Sequence, residues 1–140
     1  MVVKTFRGLL ADDTEDRIRL STIKGKVGYK IVKFQVMGIS ENENYETAVQ
    51  IFKFSVTPSD SVNFTDADLL GAAIYGDATS TSTQGDSVII FDNEIFNQDI
   101  FISAKATSGT TAINYYMELE VIPLDDAGAE YTTLRDMRST

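Results

Sequence analysis

The sequence predicts an all-β fold, as a single-domain antiparallel β-sandwich or jelly-roll-like barrel of about eight strands. Apolar and polar residues alternate with period two almost throughout, which is the pattern of half-buried strands. Turn-forming residues recur between these runs, and no run has a convincing helical period. The length of 140 residues fits one domain, 1–140, with its own hydrophobic core.

The first half of the chain predicts four strands. Two short ones are expected at residues 5–10 and 17–22, before a glycine-containing turn at 24–28. In 28–37, one side holds Val32, Phe34 and Val36 and the other holds Tyr29, Ile31 and Met37. In 45–56, Phe52, Phe54 and Val56 lie opposite Val49 and Ile51. We expect the second apolar face of these two strands to lie against a partner or a covering loop.

The second half predicts four more strands, at residues 69–75, 87–91, 99–106 and 112–122. The first of these could also be a helical turn beginning after Asp66, but the turn residues Gly76 and Asp77 that follow it favour a strand. The last is the clearest, and one of its faces is predicted to be buried: Ile113, Tyr115, Met117, Leu119 and Val121. Pro123 ends this strand because proline cannot donate a hydrogen bond to a central ladder. The turn at 107–110 predicts that the last two strands form a hairpin. Loops are expected at 40–44, 57–60, 76–86 and 124–130.

The charge is unevenly distributed along the chain. Residues 1–53 carry nine Lys or Arg and seven Asp or Glu, whereas 54–134 carry thirteen Asp or Glu and the single cation Lys105. The whole chain has a net charge of −9. Because phosphate binding requires Lys and Arg, we expect no direct contact with nucleic acid, and the negative charge disfavours anionic surfaces.

Most catalytic and metal chemistry lacks its usual residues. The chain has no His and no Cys, which excludes Ser-His-Asp and Cys-His sites, disulfides and thiolate metal sites. It has no Walker or dinucleotide-binding glycine motif. Its opening residues lack a signal-peptide pattern and no apolar run approaches a membrane span, so we expect assembly in a reducing cytoplasm and no membrane partner.

Two groups of carboxylates were weighed as sites. Asp92, Glu94 and Asp99 could supply the paired acids of a small hydrolase, but the chain has no Trp to line a sugar cleft. We interpret them as turn-forming side chains. Asp12, Asp13, Glu15 and Asp16 could offer oxygen ligands to calcium, although their spacing is not that of an EF-hand loop. We interpret this cluster as a solvated turn and expect no metal.

A carbohydrate-binding module is another small β-sandwich to consider. Its sugar platform would come from the six tyrosines: Tyr29, Tyr45, Tyr75, Tyr115, Tyr116 and Tyr131. Tyr115 is predicted to lie in the core, whereas Tyr116 is predicted to point outward among acidic residues. The module would require exposed tyrosines grouped on one face.

Three segments, 69–75, 86–101 and 112–121, together with the opening 3–8, resemble small acidic virion proteins of tailed bacteriophages, especially marine ones. The resemblance spans most of the chain. Proteins of this kind decorate or cement the capsid or lie at the head–tail junction. The resemblance implies a structural role and brings no catalytic residues.

We therefore expect a non-enzymatic structural protein of a phage virion, a capsid decoration or cement protein that binds the shell stoichiometrically. Its expected partners are the major capsid protein or other virion proteins, with homo-oligomers in the particle, and it needs no cofactor. The alternatives are a carbohydrate- or receptor-binding module and a head–tail junction or tail protein. A further functional hypothesis, from a third class of protein, is a small hydrolase that uses paired carboxylates.

The chain ends are predicted to be interface arms, at residues 1–7 and 131–140. Both mix apolar and cationic side chains next to an acidic body. Exposed ion pairs contribute only about 0–1 kcal/mol each, so apolar anchors would supply most of the affinity. The predicted anchors are Val2, Val3, Phe6, Tyr131, Leu134 and Met137.

Overall fold

The computed structural model describes residues 2–22, 25–39, 45–77, 84–91, 94–107 and 111–138. These residues form eight strands and one helix. The number of strands and the all-β class agree with the prediction from the sequence. The elements are β1 (Val2–Leu10), β2 (Thr14–Ile18), β3 (Val27–Gly38), β4 (Tyr45–Phe52), β5 (Leu69–Asp77), β6 (Gln84–Ile90), β7 (Ile100–Ala106), β8 (Ile113–Pro123) and α1 (Asp126–Arg138).

The strands form two antiparallel sheets that enclose one core. The three-stranded sheet has the order β1-β8-β3, and the five-stranded sheet has the order β2-β7-β4-β5-β6. Buried side chains of both sheets, such as Leu119 from β8 and Ile51 from β4, belong to the same hydrophobic cluster. The architecture is a β-sandwich, because the buried faces of the two sheets pack on each other.

The predicted hairpin between the last two strands is wrong. β7 pairs with β2 and β4, whereas β8 pairs with β1 and β3 in the other sheet. The chain therefore crosses from one sheet to the other between Ala106 and Ile113. Both strands alternate apolar and polar residues. That pattern indicates which face of a strand is buried, but it does not indicate to which sheet the strand belongs.

The core face of β8 is the one predicted from its alternation. Ile113, Tyr115, Met117 and Leu119 are buried, and Val121 packs against the same core while partly buried. Because β8 is the central strand of its sheet, it contributes this row to the middle of the sandwich.

A β-bulge changes the predicted faces of β3. The register against β8 shifts between Ile31 and Lys33. Tyr29 and Ile31 therefore share the buried face with Phe34 and Val36, and Val32 is exposed, contrary to the strict alternation we predicted. A bulge places one extra residue in a strand, so side chains on either side of it change parity.

The second apolar face of β4 is covered by the chain's own segment 53–68. Both Gln50 and Val49, on opposite faces, are buried. The Gln50 side-chain amide donates to the carbonyl oxygens of Ser59 at 3.0 Å and Ser61 at 3.1 Å. The covering loop that we gave as one alternative is therefore present at β4, and Phe54 and Val56 lie beyond the end of the strand.

The helix α1 contradicts the prediction of a loop at 124–130 and of a chain without helix. Asp125 caps its start, since Oδ1 accepts the Gly128 amide at 2.6 Å. Ala129 and Thr132 are buried against the sandwich, whereas Ala127 and Glu130 are exposed. No helix of the described residues is long and apolar enough to cross a membrane. The buried stripe is narrow and contains small residues, so hydrophobic periodicity did not reveal the helix.

The remaining predicted loops have different outcomes. Residues 57–60 are loop, as predicted. Both ends of the loop predicted at 76–86 are strand, because β5 extends to Asp77 and β6 begins at Gln84, and residues 78–83 lie outside the described residues. The loop predicted at 40–44 lies outside the described residues.

Candidate functional site

Asp99 is the most highly connected carboxylate of the described chain. Its Oδ2 accepts hydrogen bonds from Arg17 Nε at 2.7 Å and lies 2.6 Å from Arg17 Nη2. Its Oδ1 accepts the backbone amides of Leu20 at 2.7 Å and Ser21 at 2.8 Å. The side chain therefore connects the segment before β7 to β2 and to the residues that follow β2.

These contacts set the protonation of Asp99. Burial alone would raise its pKa, but hydrogen bonds from the amides of Ser21 and Leu20 and from the Arg17 guanidinium outweigh burial and lower the pKa from 3.8 to about 2. A general acid in a glycosidase needs the opposite shift, toward a protonated carboxyl group near neutral pH. Asp99 is therefore suited to holding structure and is poorly suited to donating a proton.

Glu94 forms an ion pair with Lys53, which lies directly after β4. Only 6% of the Lys53 side chain and 25% of the Glu94 side chain are exposed. A buried ammonium group requires such a partner, since an unpaired buried charge is costly. Of the three carboxylates weighed for hydrolysis, Asp92 lies outside the described residues, and the other two are engaged by separate cations.

The acidic cluster that follows β1 is divided among several protein partners. Asp12 Oδ1 accepts the amide of Ala106 at 2.7 Å, and Asp13 Oδ1 lies 3.6 Å from Lys105 Nζ. The two carboxylate oxygens of Glu15 accept the Ser55 hydroxyl at 2.6 Å and the Val56 amide at 2.8 Å. Within the described part of the chain, no three acidic side chains form a group that could hold a metal ion.

A groove of about 740 Å³ lies at one end of the three-stranded sheet. Polar side chains from all three strands line it, including Arg7, Gln35, Asn114 and Tyr116. The ladder places Arg7 and Gln35 on either side of Tyr116 in one row. A concave surface with an aromatic ring between hydrogen-bonding groups could bind a small polar molecule.

Tyr116 is held in place by side chains of its own sheet. Its hydroxyl donates to Glu118 Oε2 at 2.6 Å, and Lys33 Nζ lies 5.8 Å from its ring centroid. The hydrogen bond to Glu118, followed by burial and the negative charge of Glu118, raises the pKa of Tyr116. The ring is therefore fixed on the outer face, as the alternation in β8 predicted.

The tyrosines do not form a common platform. Tyr29 and Tyr115 are buried, and Tyr75 packs against the core while partly buried. Tyr131 is exposed on α1 and does not line the groove, and the side chain of Tyr45 lies outside the described residues. Of the described tyrosines, Tyr115 and Tyr116 line the groove, Tyr115 as a buried residue of the core face and Tyr116 from the outer face.

The predicted interface anchors lie in two different elements. Val2 is 65% exposed and Val3 is 36% exposed on β1, while Phe6 of the same strand packs partly buried against the core. On α1, Tyr131 is 67% and Leu134 is 68% exposed. The side chain of Met137 lies outside the described residues. The N-terminal segment is thus part of the three-stranded sheet, and its role in an interface stays a prediction.

A polar cluster of Asn97, Gly25 and Thr133 attaches α1 to the sandwich and was not predicted from the sequence. Asn97 is fully buried and its amide donates to the Gly25 carbonyl at 2.9 Å and to the Thr133 hydroxyl at 2.6 Å. The signal available in the sequence was the start of the helix: Asp125 is a preferred capping residue, and helix-forming alanines follow it.

Neither a protein-family model nor a curated protein sequence matches the chain.

Proposed function

We propose that the chain is a non-enzymatic structural protein of a phage virion, and that it binds the capsid shell stoichiometrically as a decoration or cement protein. The observation that supports the proposal is the different placement of carboxylate and apolar side chains. The buried carboxylate of Asp99 and the partly buried carboxylate of Glu94 are engaged in structural ion pairs, whereas large apolar side chains remain on the surface. This division favours a binding role over a reaction.

The proposed shell-binding surface is the outer side of α1. Tyr131 and Leu134 lie three residues apart in the helix, so they project from the same side. Both are about two-thirds exposed, at 67% and 68%. Burial of a tyrosine against a neighbour is the kind of contact that dominates interface energies, and the leucine beside it adds buried apolar area. Buried Ala129 and Thr132 hold the other side of the helix on the sandwich.

Binding to purified phage particles that lack the protein tests the proposal. The particles are incubated with excess protein and recovered by sedimentation, and the bound copies are counted by quantitative mass spectrometry. We expect saturation at a copy number proportional to the number of shell subunits. Tyr131→Ser with Leu134→Ser should abolish binding without changing the thermal unfolding temperature. The matched control is Ile74→Ser with Ile89→Ser, which removes two exposed apolar side chains from the five-stranded sheet.

Two outcomes would redirect or overturn the proposal. Saturation at a few copies per particle would place the protein at the head–tail junction or tail, the alternative virion role. No binding to shells by the folded protein would contradict a decoration role.

The groove beside Tyr116 favours a second candidate, a carbohydrate- or receptor-binding module. Arg7, Gln35 and Asn114 surround the ring with hydrogen-bonding groups of the kind that orient sugar hydroxyls. A glycan array tests this function. Binding that is lost in Tyr116→Ala and retained in Tyr131→Ala would support it, and an array without signal would exclude it for the glycans present.

A further inference from the structure

β1 is a long, regular edge strand with one side unpaired. All nine of its residues pair with β8, without a register shift, and no described strand pairs with its other side. Unpaired backbone groups along such an edge can template a further strand. Exposed apolar residues, Val3 and Leu9, lie near the two ends of this strand.

Two of the other described edge strands, β2 and β3, are protected in ways that β1 is not. β2 is only five residues long and carries Glu15, Asp16 and Arg17. β3 is interrupted by its bulge, and Phe96 covers part of its free edge by exchanging backbone hydrogen bonds with Tyr29 at 2.7 and 2.9 Å. Short strands, bulges and covering segments are the usual devices that block edge pairing.

The sequence of β1 is complementary to itself when two copies run antiparallel about Phe6. In that register Val3 lies opposite Leu9 of the second copy, and Thr5 lies opposite Arg7 of the second copy. Lys4 lies opposite Gly8, which has no side chain to collide with it. All nine residues are paired, the exposed apolar residues meet each other, and no two cations are directly opposed.

Neighbouring registers lack these properties. A shift by one residue toward the C-terminus centres the pair on Arg7 and places two guanidinium groups opposite each other. A shift by one toward the N-terminus centres it on Thr5, so that Leu9 and Leu10 have no opposite residue within the β1 strand of the second copy. The register about Phe6 is therefore the one favoured by charge and by apolar contact.

The acidic row of β8 adds charge complementarity across the new edge. Thr5 pairs with Glu118 on its other side, so Arg7 of the second copy would lie two strand spacings, or about 10 Å, from the Glu118 backbone. Extended arginine and glutamate side chains can meet across the short threonine between them. By symmetry the dimer would contain this contact twice.

We propose that β1 is a self-association edge: two copies of the chain pair antiparallel through β1, with Phe6 at the two-fold axis, and join their three-stranded sheets into one six-stranded sheet. This pairing does not depend on the virion role, and it assigns β1 to self-association and leaves the outer side of α1 for other partners. The occupant of the edge is a second copy because the strand's own sequence supplies both halves of the complementarity.

Sedimentation-velocity analysis over a range of protein concentrations tests the dimer. We expect a monomer–dimer equilibrium for the unmodified chain. Thr5→Arg would place an additional guanidinium group opposite Arg7 of the second copy, twice per dimer, and should weaken dimerisation by at least about tenfold. The matched control is Gln35→Arg, which adds the same charge to the same outer face of the sheet at its far edge, on β3, in the row of Arg7 and Tyr116. It should leave the dimer unchanged.

Cysteine cross-linking tests the register, because the chain has no cysteine of its own. A mixture of Val3→Cys and Leu9→Cys chains should form a disulfide between the two different variants. Each variant alone should not cross-link, because like positions would lie about 20 Å apart, at six residues of strand rise.

Each result decides the proposal once circular dichroism has shown that every variant is folded. A chain that remains monomeric at all concentrations would overturn it. So would a dimer that resists Thr5→Arg, or one that is lost in Tyr131→Ser with Leu134→Ser. Cross-linking of Val3→Cys chains to each other would overturn the antiparallel register. If the protein failed to bind virions but still formed the dimer, the decoration role would be contradicted and the pairing through β1 would be supported.

Discussion

Asn97 donates a hydrogen bond of 2.6 Å to the hydroxyl of Thr133, which lies 36 residues later in the chain. The same side-chain nitrogen lies 2.9 Å from the Gly25 carbonyl oxygen and 3.4 Å from that of Ala129. One buried amide thus joins the loop before β3, the segment before β7 and the middle of α1. The helix is fixed to the sandwich by polar contacts as well as by its buried alanine.

Replacing Asn97 by alanine should loosen α1 before it unfolds the sheets. The carbonyls of Gly25 and Ala129 would lose a buried donor, which costs about 1–3 kcal/mol. Hydrogen exchange measured by mass spectrometry should show faster exchange in α1 than in the unmodified chain, with β8 changed less. Glu130→Ala, an exposed position on the same helix, is the control. Unchanged protection of α1 in Asn97→Ala would contradict the role of this amide.

Most of the strands were predictable from runs of alternating residues, with β8 as the clearest case, and β6 was predicted from a continuous apolar run. β2 is Thr14–Ile18 and overlaps the strand predicted at 17–22 in only two residues. The sheet to which a strand belongs was not predictable in the same way. β7 and β8 both have one apolar face, and nothing in either run distinguishes a hairpin from a crossing between sheets. The bulge between Ile31 and Lys33 could not be predicted from period-two alternation either, because a bulge interrupts that alternation.

Acid should destabilise the protein partly through Asp99. Its folded pKa of about 2 lies below the ordinary value of 3.8, so the charged carboxylate stabilises the fold above about pH 4. That contribution is lost as the pH falls toward 2, and a shift of this size corresponds to about 2 kcal/mol. Urea unfolding at pH 6 and at pH 2.5 should therefore show a smaller loss of stability for Asp99→Asn than for the unmodified chain.

The exposed Asp16 provides the control for this comparison. Asp16→Asn removes a carboxylate from β2 without touching the Asp99 contacts, so its acid sensitivity should follow that of the unmodified chain. If Asp99→Asn lost as much stability on acidification as the unmodified chain, protonation of Asp99 would not be a source of the acid sensitivity.

The two faces of β8 should respond differently to truncation. Leu119 is fully buried at the centre of the core, and removing such a side chain costs about 2–5 kcal/mol. Its neighbour Glu120 lies on the outer face, 3.6 Å from Lys30, and a pair of this kind contributes about 0–1 kcal/mol. Chemical denaturation of Leu119→Ala and Glu120→Ala measures the difference. Similar losses in the two variants would contradict the assignment of faces.

Calcium should have no effect on folding. The carboxylates of Asp12 and Glu15 accept hydrogen bonds from Ala106, Ser55 and Val56, so they are directed at protein donors in different segments. A cation would have to displace these contacts to collect ligands. Thermal unfolding with millimolar calcium and with a chelator should therefore coincide. A calcium-dependent rise that disappears when Asp12, Asp13 and Asp16 are changed together to asparagine would establish a metal site.

Less of the candidate site than of the fold could be predicted. The outward position of Tyr116 followed from alternation, but the groove around it depends on Arg7 and Gln35, which come from strands distant in the sequence. The same holds for Asp99 and Arg17, which are 82 residues apart. Contacts of this kind arise from sheet order, and a single sequence does not specify sheet order through periodicity alone.

The ion pair between Lys53 and Glu94 should stabilise the fold by placing a negative charge beside a buried ammonium group. Glu94→Gln would remove the carboxylate from an ammonium group whose side chain is only 6% exposed, and breaking a buried pair costs about 3–5 kcal/mol. Replacing both residues, as Lys53→Met with Glu94→Gln, removes the charge that needs a partner. The double variant should therefore be more stable than Glu94→Gln alone, as measured by urea unfolding of all four members of the cycle. If the two single changes simply added, the pair would not be coupled, and the burial of Lys53 would need another explanation.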